Sequence, residues 1–345
     1  MSGLITVLQP GFGTTIQDGG RFGHRHEGMP VSGWLNAPLA EAANALLGNP
    51  MGDAVLELRG AGTELQVQTG PVRLAMTGDI TARWIRADGQ PTLLPAWQTA
   101  TLLTGDRLVF GMANSGCACL ALSGGIQIAP VLGSRSSYWR AGLPGLLGRP
   151  LQPGDALPCS TTSTASPKEW RTRHALELPQ GPLRVMPGPQ ADHFTSEAIA
   201  QFLDSEWRAS AEQDRMGLRL QGPALQHASP ASADIVSDAV APGTIQVPGS
   251  GQPIVLMADS QTVGGYPKIA TIIRADLPRL AHLRAGTALR FQAVDASQAR
   301  QALLDQQARW QAWLNTRETF IPPGFVDEEA LCQNNLISGM LRADP

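Results

Sequence analysis

The sequence is poor in cysteine. Its four thiols, Cys117, Cys119, Cys159 and Cys332, include no Cys-x-x-Cys pair. That spacing excludes the usual paired zinc site, and a chain of 345 residues needs no disulfide framework to hold a core. A reducing, cytoplasmic setting is the expectation. No apolar run is long enough to span a bilayer. The opening MSGLITVLQPGFG lacks a basic stretch followed by an apolar one, so no export signal is expected. No block of Lys or Arg occurs and the net charge is −3, which leaves nucleic acid without an electrostatic basis. The chain also lacks a G-x-x-x-x-G-K-[ST] phosphate loop, an H-E-x-x-H helix and a G-x-S-x-G elbow. GGIQIAPVLGS is rich in glycine but opens no evident helix, so it is no dinucleotide fingerprint.

What is present is strand and turn. Gly (37) and Pro (27) are both abundant, which favours many short strands. The length suggests two lobes. Residues 1–160 read as an N-terminal β-rich lobe, with TELQVQ and VRLAMTG alternating apolar and polar positions. Within it, SGWLNAPLAEAANALLGNP predicts a helix with Ser32 as its cap and Gly48 as its stop. Residues 161–180, opening on a Ser/Thr-rich run, read as a surface linker. Residues 181–294 carry further strands, two short helices among them. Residues 295–345 read as a helix and tail, the helix starting on an Asp295–Gln298 capping box with Leu303, Trp310, Trp313 and Leu314 inward. The fold class is mainly β (α+β). Strands joined by turns, not regular helices, argue against a doubly wound parallel sheet.

Four polar clusters lie among glycines and core-like strands. GTTIQDGGRFGHRHEG holds Gln17, Asp18, Arg21, His24, Arg25 and His26. An Asp18–Arg21 pair there serves equally as a loop brace. GSRSSYWRAG offers Arg135, whose forked donors suit a carboxylate or phosphate. SAEQDRMGLRLQGP places Asp214, Arg215 and Arg219 beside a glycine, a pattern that also reads as a turn brace. GTIQVPGSGQP with DSQTVGGYPK gathers Gln246, Asp259, Gln261, Thr262, Tyr266 and Lys268 at strand ends, Lys268 being a compact charge for a phosphate or developing oxyanion. No metal-ligand set is evident.

These clusters also carry a resemblance. TTIQDGGRFGHRHEGMPVSG, GGIQIAPVLGSRSSYWRAG, DRMGLRLQGP and GTIQVPGSGQPIVLMADSQTVGGYPKIATI resemble the motifs of the carboxyltransferase-like family. That family includes allophanate hydrolase subunit 2, the carboxyltransferase region of urea amidolyase and the C-type subunit of bacterial 5-oxoprolinase. The likeness runs from about Ile5 to Phe291, with Gly19 and Ser137 departing from its usual pattern.

The resemblance implies two cyclophilin-like β-barrel lobes. It implies a partner, an allophanate hydrolase subunit 1-like chain (akin to the B-type subunit of 5-oxoprolinase), with a third lactam-hydrolysing subunit as a further candidate. The activity it suggests is ATP-dependent opening of 5-oxo-L-proline to L-glutamate, with ATP and Mg²⁺ acting at the level of the complex. Asp18, Asp259 and Lys268 are then the catalytic candidates, Asp18 or Asp259 orienting a base or binding Mg²⁺. Arg21, Arg135, Arg215, Gln246, Gln261, Thr262 and Tyr266 are the substrate-binding candidates. Two alternatives stay open: biotin-dependent carboxyl transfer to urea or a similar amide, and a non-catalytic regulator that binds the partner subunit of a kinase-inhibitor pair.

Overall fold

A computed structural model describes residues 2–143, 146, 148–163 and 168–322. The tail beyond them, with Cys332, and part of the 161–180 stretch lie outside the described residues. The protein is mainly β, and its strands form two lobes, each with its own core.

In the N-terminal lobe a six-stranded and a seven-stranded sheet enclose one apolar core. Alternation decides which side chains enter it. Leu65 and Val67 from strand Thr63–Thr69 and Leu74 and Met76 from strand Val72–Gly78 are all buried. Each such side chain contributes about 1.5–3 kcal/mol on leaving water. The predicted helix forms as α1 (Ala37–Leu47), but its cap is Asn36, whose side chain accepts from the Leu39 amide at 3.1 Å. Ser32 lies four residues upstream with φ at +54°, a left-handed backbone unsuited to capping. Small side chains let α1 approach the sheet closely. Ala40 and Ala43 are fully buried beside Val55, Cys119 and Ala121.

The C-terminal lobe is one eight-stranded sheet whose edge strands are Ala288–Leu289 and Phe291–Ala293. Only Arg290 separates those edges in the chain, so the sheet curls into a nearly closed barrel and has little free edge to protect. Trp207, Phe202 and Phe291 fill it, with the rings of Phe202 and Phe291 stacked 4.6 Å apart. Helix α2 (Ser196–Asp204) is capped by Thr195.

Helix α3 (Ala296–Leu314) begins on the expected Asp295–Gln298 capping box. Its packing runs against the expectation at Leu303 and agrees with it at Trp313. Leu303 is part-exposed, and the helix docks back on the N-terminal lobe through Trp313, which meets Trp97 edge-on at 5.9 Å. The chain then adds strand Arg317–Phe320 to strand Glu169–Thr172, extending the seven-stranded sheet. Part of the stretch read as linker is therefore sheet, with Glu169 buried against Arg73 and Thr99. Propensity in a Ser/Thr-rich run gave no sign of so distant a partner strand, where Arg171 meets Glu318 from 147 positions away. Among the described residues no helix is long and apolar enough to cross a membrane.

A half-buried histidine joins the lobes. Asn36 uses its oxygen to cap α1, so its amide nitrogen faces His282 Nε2 at 2.7 Å. His282 Nδ1 lies 2.7 Å from the Ser115 carbonyl, which can only accept. Both contacts require a neutral ring with its hydrogen on Nδ1. Burial pushes His282 below its ordinary value of 6.5. The unfolded chain therefore binds the proton more readily, and the joint's contribution is present above about pH 6.5 and lost as the pH falls below it. Thermal unfolding followed from pH 8 to pH 5 should show this loss, and a His282→Gln variant should lack that pH-dependent part. An equal slope in both proteins would refute the account.

Candidate functional site

Four sequence clusters meet in one polar seam between the lobes. Asp18 follows strand Thr15–Gln17, and the loop Ser134–Ser136 folds over it. Its carboxylate accepts from Ser134 Oγ and Ser136 Oγ, both at 2.6 Å, from the Arg135 amide at 2.5 Å and from the Gly20 amide at 2.9 Å. Four donors occupy both oxygens. Oδ1 takes three of them and Oδ2 one, so Asp18 is a buried clamp that shapes two loops. Gly20, at φ +107° with Val31 only 2.7 Å from where a Cβ would sit, permits the turn.

Arg21 is fully buried. It donates from Nε to the Val131 carbonyl at 3.2 Å and from Nη2 to the Ser136 carbonyl at 3.1 Å, while Nη1 has no partner. Burial pulls its pKa below the ordinary value, and Asp18 and Asp259 oppose that pull. Arg135 points away from this centre, its Nε bonding the Ile128 carbonyl at 2.7 Å with Asp53 nearby.

Arg215 differs most from expectation. It forms a two-pronged pair with Asp259, at 2.9 and 3.2 Å, and reaches across the lobes to Glu57 at 2.7 Å and to the Gly33 carbonyl. Burial opposes the charge, but Asp259 and Glu57 outweigh it and hold the guanidinium above its ordinary value. A cation flanked by two buried carboxylates cannot also grip a substrate anion. Arg215 is a brace, and Asp259 is its ion-pair partner.

The remaining group mixes buried and exposed side chains. Gln246 is buried and donates to the Tyr266 carbonyl at 3.3 Å, and its oxygen accepts from Gln261 at 3.3 Å. Gln261 and Tyr266 are exposed, Thr262 is buried beside them, and its carbonyl accepts from the Val240 amide at 3.1 Å. Lys268 is buried with its ammonium against Asp238 and, at 3.1 Å, the Ala239 carbonyl. Gln246, Gln261, Tyr266 and Lys268 thus form one polar mouth, with Arg21 behind the Asp18 clamp. His24 and His26 sit by Glu27 at the surface.

A cleft of about 840 Å³ also lies at the joint, lined by Leu39, Ile80, Trp97, Leu176 and Leu289. None of the polar candidates lines it. Its walls are mixed, with Asp79, Gln180 and His282 among the apolar side chains, and its Arg279 is tied to the Pro182 carbonyl at 2.9 Å and to Asp276. The seam, where charge is concentrated, is the better candidate for chemistry. Among the described residues no cluster of three or more His, Cys, Asp or Glu could hold a metal. Asp18 is engaged by four protein donors and Asp259 by the Arg215 guanidinium, so each is already committed to a protein partner in this conformation.

The seam's residues fall within the span 27–293 that matches the model of the carboxyltransferase domain, subdomains A and B, apart from Gln17, Asp18, Arg21 and their neighbours just before it. The chain belongs to the carboxyltransferase A/B family. It is 35% identical over 319 residues to the C-type subunit of 5-oxoprolinase from Escherichia coli strain K12, covering 90% of this chain and 98% of that protein. It is 32% identical over 305 residues to a putative urea carboxylase of Emericella nidulans, where it covers 84% of this chain but 24% of the relative. The crystal structure of the Kluyveromyces lactis urea carboxylase superposes with a TM-score of 0.78 at 25% identity, over 90% of this chain and 29% of that one. Members of this family therefore occur both as separate subunits and as part of far longer chains.

Sequence reasoning missed Glu57, Ser134, Ser136 and Asp238 as parts of the site. Glu57 had a signal, since it is the one charge inside the apolar strand Val55–Leu58. Leu56 and Leu58 enter the sheet core, so alternation turns Glu57 to the other face, where the Leu35 amide donates to it at 2.8 Å. Asp238 had none. It reaches Lys268 only because a two-residue strand pairs Asp238 with Gly264.

Proposed function

We propose that this chain is a component of an ATP-dependent 5-oxoprolinase, opening the lactam of 5-oxo-L-proline to L-glutamate together with a partner subunit. The observation that carries this reading is the match in extent: the chain and the C-type subunit of the Escherichia coli 5-oxoprolinase align over nearly the whole of both. The seam is consistent with it. A lactam resists water, and phosphorylating its oxygen converts that oxygen into a leaving group. Water then adds to the ring carbon, the ring C–N bond breaks to free the amine and leave an acyl phosphate, and a second water releases phosphate from it to give the carboxylate of glutamate. Such a path needs a held carboxylate, positive charge near the reacting oxygen and little water.

In this proposal Lys268 supplies the positive charge. Gln246, Gln261, Thr262 and Tyr266 orient the substrate's amide and carboxylate. Arg21, Asp18, Arg215 and Asp259 act through the loops that they hold. ATP and Mg²⁺ are assigned to the complex, because the chain has no phosphate loop and the seam carboxylates Asp18 and Asp259 are already engaged by protein donors. The partner proposed to bring them is an allophanate hydrolase subunit 1-like chain, with a third subunit for the hydrolytic step. The cytoplasm is the proposed setting, consistent with free buried thiols at Cys117, Cys119 and Cys159.

The test is glutamate release from 5-oxo-L-proline and Mg-ATP with this chain and its co-encoded partners, each omitted in turn. Release should vanish without this chain. Undiminished release in its absence would refute the proposal. The similarity to urea carboxylase supports a second reading, carboxyl transfer between biotin and a small amide. Stimulation by free biotin and bicarbonate, with no glutamate formed, would favour it.

A further inference from the structure

Two cations of the seam, Arg215 and Lys268, are paired with carboxylates, and they are capped differently. Arg215 is held by Glu57 and Asp259, whose side chains are 0% and 9% exposed. Neither can leave without becoming a buried, unpaired charge. Lys268 is itself 5% exposed at its side chain, yet its carboxylate partner Asp238 is 53% exposed. Both groups that meet its ammonium, Asp238 and the Ala239 carbonyl, belong to one short segment.

That segment is lightly held. None of residues 226–239 is buried, and Val236 is 93% exposed. Residues 226–232 are tied to His193, Thr195 and Val247, but from Ala233 to Ala239 the ties are a two-residue pairing of Asp238 and Ala239 with Gly264 and Val263, the Ile235 amide on the Gly265 carbonyl at 2.8 Å and a hydrogen bond between Asp238 and Gln190. Such a strap opens at small cost, because few apolar contacts and few hydrogen bonds are lost. Asp238 can return to water, whereas Lys268 is left as a desolvated cation in need of an anion. The hydrogen bond from Lys268 also holds the Asp238 carboxyl below the usual carboxylate range. The chain has only two lysines, Lys168 and Lys268, and relies on arginine for its other fixed cations.

We propose that Lys268 is an exchangeable oxyanion site which the Asp238 strap closes, the Asp238 carboxylate standing where a substrate carboxylate or a phosphoryl group binds. The seam is the one assigned to 5-oxoproline above, so the identity of the physiological anion rests on that reading. The exchange itself does not. Binding the anion costs opening the strap, so the wild-type affinity is lowered by the fraction of molecules in the open form. The strap would keep the lysine paired until substrate arrives.

The pair of lysines makes the test direct. The full-length chain is labelled with an amine-reactive reagent, and modification at Lys268 and Lys168 is followed separately by mass spectrometry. Asp238→Asn should raise the Lys268 rate about tenfold and leave Lys168 unchanged. Inorganic phosphate in one arm and 5-oxo-L-proline in the other should protect Lys268, at concentrations about tenfold lower in the variant. Protection by only one names the anion class. An unchanged Lys268 rate in Asp238→Asn, or faster labelling that neither anion suppresses, would overturn the proposal. Because labelling needs no turnover, a complex that releases no glutamate would defeat the functional reading and leave this result standing.

Discussion

Arg215→Met should destabilise the folded chain by about 3–5 kcal/mol, because it leaves Glu57 and Asp259 facing each other as buried, unpaired carboxylates. The loss is more than that of one ion pair. Arg215 spans the lobes, so the same change removes its contact with the Gly33 carbonyl in the loop that carries the Leu35 amide to Glu57. Urea unfolding should show an earlier midpoint, and hydrogen exchange should show loosening at residues 31–35 and 257–260 first. Neutralising the whole trio with Arg215→Met, Glu57→Gln and Asp259→Asn should recover much of the stability, since the cost comes from stranded charge. A single-variant loss under about 1 kcal/mol would mean that the trio is solvated and is not the brace described.

Lys268→Met should leave the fold close to intact and reduce turnover by the assembled enzyme about 10²–10³-fold. Methionine fills a similar volume. It removes the charge and frees Asp238, which is already half in water. Under the proposed function, what disappears is the fixed positive charge facing the reacting oxygen. Steady-state kinetics on the complex, with thermal unfolding of the same preparation, separates the two quantities. A fall in stability matching the fall in activity would assign Lys268 a structural role. Wild-type turnover would remove it from the chemistry altogether.

The two predictions treat the two cations oppositely, and the sequence offered no way to rank them. DRMG and GGYPK both read as a cation beside glycines. The strand Val55–Leu58 lies far upstream of Arg215, and only its placement beside the lobe joint brings Glu57 to the guanidinium, 158 positions away. Asp18 shows the same limit. Its neighbour Arg21 suggested a local pair, whereas its actual partners are Ser134 and Ser136, reached from a loop more than a hundred residues downstream.

Local chemistry did carry much of the architecture. Alternating apolar residues marked Thr63–Thr69 and Val72–Gly78, because a strand shows every second side chain to the core. Asp295 and Gln298 marked the start of α3, because capping is settled within four residues. The Ser32 cap failed for a reason of the opposite kind. Backbone strain at Ser32 belongs to a contact with the other lobe, its amide donating to the Ala258 carbonyl at 3.1 Å.

By itself the sequence determined a mainly β chain, the capping box of α3, the motifs of its family and four of the stretches from which the site is assembled. Those depend on interactions between near neighbours, or on residue types that can be read one position at a time. Tertiary structure alone decided which charges are spent and which are exchangeable. That choice depends on how many donors converge on each carboxylate and on whether the partner is buried, and both are properties of segments that meet only when the two lobes close on each other.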